Sequence, residues 1–324
     1  MHPTLAELTT SARVVSLPLT TRFRGITERE IMLFEGPEGW TEFSPFAEYG
    51  DTEASVWLAA AIDFGWSATP ELHRATVGIN ATLPAVPAAD VPAVLALFPG
   101  CRTVKVKVAE PGQTLVDDTA RVSAARRVLG AEGRIRIDAN GAWSIDAAER
   151  AIHKLAEYDL EYVEQPCATV AELARLRARI AYMDVPIAAD ESVRKAEDPL
   201  GVVRAGGADL LIVKAAPLGG IRRTLELAAS AGVPAVVSSA LESSVGISMG
   251  LHLAAALPAL DFDCGLGTAA LLGADVTRDP LLAVNGQLVV RRVIPDIALL
   301  DEHAAASDRA EWWMSRLERC YQLL

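Results

Sequence analysis

Val104-Lys105-Val106-Lys107-Val108, Arg134-Ile135-Arg136-Ile137-Asp138-Ala139-Asn140, Glu161-Tyr162-Val163-Glu164-Gln165-Pro166, Ile187-Ala188-Ala189-Asp190-Glu191-Ser192 and Leu211-Ile212-Val213-Lys214 are successive strand-like segments, each ending in ionisable residues. They recur roughly every 25–30 residues, the spacing of βα units. Thr76-Val77-Gly78-Ile79-Asn80-Ala81-Thr82 reads as a strand before them, Val233 to Ser238 as a seventh and Leu260 to Cys264 as a weaker eighth. Helical patterns alternate with these strands over Val116 to Leu129, Ile145 to Tyr158, Val170 to Ala181, Ile221 to Ala231 and Ser244 to Leu257. Several open on a Ser, Asp or Thr able to cap them. Such near-continuous apolar strands are buried on both faces, so eight of them favour a closed parallel barrel over an open doubly wound sheet.

Outside this alternation the pattern differs. Residues 13–19 and 30–35 read as strands, separated by a polar loop from Thr20 to Glu28 that carries Arg22, Arg24 and Gly25. The turn signal Gly36-Pro37-Glu38-Gly39 leads into a third strand from Trp40 to Phe46, and Glu53 to Phe64 has helical spacing. At the far end Leu288 to Val293 reads as a strand and Ala304 to Tyr321 as an amphipathic helix that packs back on the N-terminal unit. No Gly/Ser linker divides the regions, which predicts two domains in firm contact.

The chain has 324 residues, 51% hydrophobic and 22% charged, with a net charge of −12. Without a block of Lys and Arg it lacks the electrostatic footprint of a nucleic-acid binder. Its start has no basic segment followed by an apolar run, and no stretch approaches the roughly 20 apolar residues of a membrane span, so a cytoplasmic location without a membrane partner is expected. Cys101, Cys167, Cys264 and Cys320 are widely spaced with no C-x-x-C pair, which favours reduced thiols over disulfides or zinc.

In a βα barrel the reacting groups lie at the C-terminal strand ends. Lys105 and Lys107 are two apart, so both point inward, Lys107 nearer the mouth. Mutual repulsion and burial would move Lys107 towards the range of a general base, with Lys105 in support. A lone strand lysine would more readily snorkel or pair with a carboxylate. Asp138, Glu164 and Asp190 end consecutive strands. Singly each would suit a cap or a solvated loop; together, unpaired, they call for a divalent cation, and hard oxygen ligands suit Mg²⁺, with Mn²⁺ an acceptable substitute. Lys214 lies across the mouth from Lys107, so a carboxylate substrate between them would meet a lysine on each face, as proton abstraction next to a carboxylate requires. Ser238, Ser239, Ser243 and the amides from Gly265 through Leu266 and Gly267 to Thr268 either hold a second carboxylate or serve as turns and caps. Asn140 and Glu191 suit orientation of metal ligands or of Lys107. Gly219-Gly220 suits a turn, and His73, His153, His252 and His303 show no ligand spacing.

The order K-x-K, D, E, D, K at strand ends resembles the muconate-lactonising subgroup of the enolase superfamily. Arg22-Phe23-Arg24-Gly25-Ile26-Thr27, Glu42-Phe43-Ser44-Pro45-Phe46-Ala47-Glu48-Tyr49, Asp138-Ala139-Asn140-Gly141-Ala142-Trp143, Glu164-Gln165-Pro166, Ala189-Asp190-Glu191-Ser192, Lys214-Ala215-Ala216-Pro217-Leu218-Gly219-Gly220, Ser238 to Gly246 and Gly265-Leu266-Gly267-Thr268 are similar to the o-succinylbenzoate synthase family within it. The resemblance implies an α/β fold: a (β/α)₇β modified TIM barrel, residues 81–284, under an α+β capping domain formed by residues 1–80 and completed by 285–324. It implies a Mg²⁺-dependent syn dehydration with Asp138, Glu164 and Asp190 as metal ligands and Lys107 and Lys214 as catalytic residues. Lys105, Arg22, Asn140, Ser238, Ser239, Gly265, Leu266 and Gly267 would contact a small-molecule carboxylate substrate, Glu191 would support them, and a monomer is expected. N-acylamino-acid racemases and dipeptide epimerases use the same lysines and carboxylates, and a Schiff-base aldolase would use a lysine of such a barrel differently.

Overall fold

The computed structural model of the chain describes residues 2–324. Strands Ala81–Leu83, Thr103–Lys107, Arg134–Asp138, Leu160–Glu164, Ile187–Ala189, Leu210–Val213 and Ala235–Val237 lie side by side in chain order, all parallel. Alternate residues face opposite ways. Val104, Val106, Ile135, Ile137, Val163, Ile187, Leu211 and Val213 join the main core, whereas Tyr162, Ala188, Leu210, Ile212 and Val236 form a separate cluster with Phe262 inside the barrel. The inward set includes Lys105, Lys107, Asp138 and Glu164, which carries the ionisable groups to one end.

The ring closes through a minimal eighth segment. Cys264 bridges to Ile79 on one side and Gly265 to Ser238 on the other, both parallel. A Cβ at Gly265 would lie 2.5 Å from Ser238 Oγ, so this close approach requires glycine. The first strand read from the sequence is divided: Thr76–Gly78 pairs antiparallel with Gln287–Val289, and only Ala81–Leu83 belongs to the barrel. The outer helices begin where cap residues stand, with Thr114 and Thr169 in capping boxes and Ser144 and Ser243 accepting from the first turn.

Over the barrel mouth, Arg13–Phe23, Ile26–Gly36 and Gly39–Phe43 form an antiparallel sheet. The expected loop from Thr20 to Glu28 shrinks to Arg24-Gly25, a two-residue hairpin turn with φ of 50° and 80°. Its polar flanks form an exposed ribbon, and pairing of their backbones does not depend on burying their side chains. Helix Asp51–Trp66 and the C-terminal helix Ser307–Tyr321 pack together beside the sheet, with Trp313 edge-on to Phe43 at 5.8 Å between centroids. The C-terminal helix starts later than its pattern suggested, because Ala304 bridges to Val15 and the Ala305 amide donates to the Val14 carbonyl. The C-terminal strand likewise stops at Val289, short of the expected Val293. Helix Leu5–Ser11, closed by a Thr4–Glu7 capping box, was not anticipated.

Gly36 packs directly on the Gly65 carbonyl, and a Cβ there would be driven into it. Gly36→Ala should therefore cost about 2 kcal/mol by forcing strand and helix apart, read as a fall in Tm with the ionisable strand ends untouched.

Candidate active site

Strand register assembles the site. Lys107 lies beside Asp138, and Asp138 beside Glu164, as partners in adjacent parallel strands. Asp138, Glu164 and Asp190 are almost completely buried. Lys105 Nζ is 3.0 Å from Glu164 Oε1 and 3.5 Å from Asp138 Oδ2, while Lys107 Nζ is 2.5 Å from that same Asp138 oxygen. Lys214 Nζ donates to Asp190 Oδ2 at 2.6 Å, and Arg194 Nε to Asp190 Oδ1 at 3.2 Å. The carboxylates are thus paired, contrary to the sequence-based expectation. The two lysines of the K-x-K segment converge on a carboxylate between them rather than on each other. Among the described residues, no three Asp, Glu, His or Cys side chains form a chelating group as they stand.

The electrostatics follow from this crowding. Burial pulls the Lys105 ammonium down, but Glu164 and Asp138 outweigh it and raise it above the usual lysine range. Burial would raise Asp138 too, yet Lys107 and Lys105 hold its carboxyl down at about 2. Asp190 is lowered in the same way, burial being overcome by Lys214 and Arg194. Glu164 goes the other way, pushed up to about 7 by burial and then by the Asp138 charge, against the pull of Lys105. An all-oxygen donor set with one carboxylate short of positive charge fits a hard divalent cation.

Residues around the strand ends fix their orientation. Asn140, at φ 46°, accepts from Lys107 Nζ at 2.7 Å, donates to Glu191 Oε1 at 3.2 Å, and its amide donates to Asp138 Oδ1 at 3.0 Å. Gln165 Oε1 accepts from the Asp190 and Ser192 amides, tying the fourth strand end to the fifth. Arg194, one turn beyond Asp190, also donates to Glu191 and to the Tyr49 hydroxyl.

A cavity opens on these groups. Lys105, Lys107, Asn140, Asp190, Lys214, Ser238, Ser239 and Gly265 line it, as the sequence reading placed them. Arg22 and Glu191 line only an adjoining outer cleft, with Phe23, Arg24, Lys107, Asn140 and Arg194 shared between the two. Leu266 and Gly267 do not line the cavity: Leu266 is buried, and a Cβ on Gly267 would meet Ile79, Asn80 and Phe98. Not anticipated on the cavity wall were Phe23, Tyr49 and Trp57 from the N-terminal unit, and Thr82 and Arg194 from the barrel. Phe23 and Tyr49 stood in family-like stretches without an assigned role, and Arg194 left a local sign as a cation one helical turn after Asp190.

Residues 93–295 match the family model described as "Enolase C-terminal domain-like", and residues 14–65 match "Enolase N-terminal domain-like". The chain is 55% identical over 322 residues to an o-succinylbenzoate synthase of Mycobacterium marinum, covering 99% of this chain and 96% of the relative. It is 55% identical over 325 residues to that of Mycobacterium leprae, covering 100% and 95%. Among solved structures, the fold resembles the 2-chloromuconate cycloisomerase of Rhodococcus opacus 1CP, with a TM-score of 0.76 and 23% identity over 91% of this chain and 98% of that one. The L-Ala-D/L-Glu epimerase of Bacillus subtilis gives 0.73 and 22% over 88% and 96%. No helix is long and apolar enough to cross a membrane among the described residues.

Lys105→Met would leave Glu164 buried without its cation, so the metal-free protein should lose about 3 kcal/mol in urea unfolding. Asp138 has a depressed carboxyl and contributes stability above the unfolded aspartate value, lost as pH falls through about 2. Lys107→Met should therefore lower metal-free stability at neutral pH and flatten its decline between about pH 4 and 2.

Proposed function

This chain belongs to the o-succinylbenzoate synthase family of enolase-like enzymes, and we propose that its barrel mouth dehydrates 2-succinyl-6-hydroxy-2,4-cyclohexadiene-1-carboxylate to 2-succinylbenzoate in menaquinone biosynthesis. The reaction class is that of a carbon–oxygen lyase. The observation that carries the residue roles is the placement of Lys107 and Lys214. They stand on the second and sixth strands of an eight-membered ring, face one cavity, and rest on carboxylates that could release them.

Enzymes of this superfamily use a divalent metal; Asp138, Glu164 and Asp190 would hold it, Mg²⁺ suits their oxygens, and Mn²⁺ would substitute. Bound there, the metal supplies positive charge to the substrate carboxylate and acidifies the adjacent carbon. Were Asp138 and Asp190 to hold it, the nitrogens of Lys107 and Lys214 would be released to the cavity. Lys107, as base, takes the proton alpha to the carboxylate. The electron pair left behind forms the new ring double bond as the hydroxyl departs, and Lys107 returns its proton to that hydroxyl on the same face, giving water and an aromatic ring. Lys214, on the opposite face, stabilises the planar anion between these steps as a cation. Asn140 sets the aim of Lys107 through its 2.7 Å contact. Ser238, Ser239, Gly265 and Thr268 line the same cavity, and there the succinyl tail would find donors.

The deciding assay is production of 2-succinylbenzoate by purified protein with Mg²⁺. Racemisation of N-acyl amino acids without dehydration would overturn the reading. EDTA should abolish turnover and Mg²⁺ restore it. Lys107→Ala should reduce kcat by about 10³-fold or more while calorimetric metal binding persists, whereas Asp190→Asn should weaken both.

A further inference from the structure

The mechanism leaves unused a buried charged cluster where the N-terminal sheet meets the barrel. Glu42 and Glu242 lie within it, with Arg29 threading between the two domains, and all three are buried. Glu42 Oε1 accepts from Ser44 Oγ at 2.5 Å. Its Oε2 accepts from Ser243 Oγ at 2.5 Å and from the Ser243 and Gly246 amides, each at 3.1 Å, so a carboxylate from the N-terminal sheet caps helix Ser244–Ala256 of the barrel. The fit is tight: a Cβ on Gly246 would lie 2.8 Å from Glu42 Cδ. Arg29 Nε donates to the Leu241 carbonyl at 3.0 Å, and its Nη2 reaches the carbonyls of Ser44 and Ala240. Within the barrel loop, Glu242 Oε2 takes the Ala240 amide at 2.6 Å.

The gripped segment is also the cavity wall. Ser238, Ser239, Ala240 and Leu241 all line it, and Leu241 is held at φ 65°, a conformation residues with side chains rarely adopt. Such a backbone persists only where its surroundings over-determine it. Phe46 extends the link, with the Arg29 guanidinium 4.3 Å from its ring centroid and that of Arg24, at the hairpin tip and on the cavity wall, at 4.0 Å.

We propose that Arg29 and Glu42 are positioning residues for substrate, fixing the Ser238–Leu241 wall from the N-terminal sheet so that docking of that sheet sets the shape of the pocket. In its kinetic half this rests on the dehydratase reading. Glu42→Gln places a donor among four donors and nearly preserves volume. It should raise KM for the cyclohexadiene carboxylate about tenfold with kcat within about threefold, because uniform binding is lost and the lysines are untouched. Mn²⁺ affinity of the variant should match that of the parent, and deuterium uptake of residues 238–246 should accelerate. Unchanged KM with unchanged uptake overturns the proposal. So does a joint collapse of kcat, Mn²⁺ affinity and global protection, which would mark Glu42 as a general support of the fold. If the parent does not dehydrate this acid, the functional reading fails, while uptake at 238–246 still decides the clasp: faster supports it and unchanged overturns it. Should Glu42→Gln not fold, Ser44→Ala removes one donor and leaves the helix start intact. The same KM and uptake changes at smaller size support the proposal, and their absence overturns it.

Discussion

Carboxylates taken out of water need positive charge within a few ångströms, and here Asp138, Glu164 and Asp190 are taken out together. Lys105, Lys107, Lys214 and Arg194 supply that charge, and each comes from a barrel strand or from the turn just after one. The parallel register places these groups at one level. A slip of one residue in any of the strands would turn its charged end into the packed layer beneath the helices. The barrel and the charge cluster therefore constrain each other.

The cluster also explains how a packed structure stays ready for chemistry. The lysines proposed as base and as cation rest on Asp138 and Asp190, two of the carboxylates proposed to hold a metal, so a metal loaded there would compete with them for those partners. Lys105 differs, with Glu164 at 3.0 and 3.1 Å and Asp138 as a second neighbour, so it offsets the charge of two buried acids at once.

The N-terminal unit completes the pocket from outside. Phe23 and Arg24 at the hairpin tip, Tyr49 beyond the third strand and Trp57 on the following helix all reach the cavity. The C-terminal helix holds that unit in place, Arg316 donating to the carbonyls of Phe46 and Tyr49 and Trp313 to Glu30. Residues nearly the whole chain apart thus define one wall, which is why local patterns did not expose it.

Alternating apolar strands, capped helices and an ionisable residue at each strand end were legible in the sequence because they arise from neighbours a few positions apart, where periodicity and propensity act. They determined the parallel barrel and the identity of the lysine and carboxylate groups. Only the tertiary structure decided that the carboxylates are paired, that Thr76–Thr82 divides between a capping pair and the barrel, that the polar stretch after Thr20 is a hairpin, and that Arg24 rather than Arg22 reaches the inner cavity. Each of these depends on which distant atom lies within hydrogen-bonding or van der Waals reach, and that distance is set by closure of the ring and docking of both termini, which no local pattern encodes.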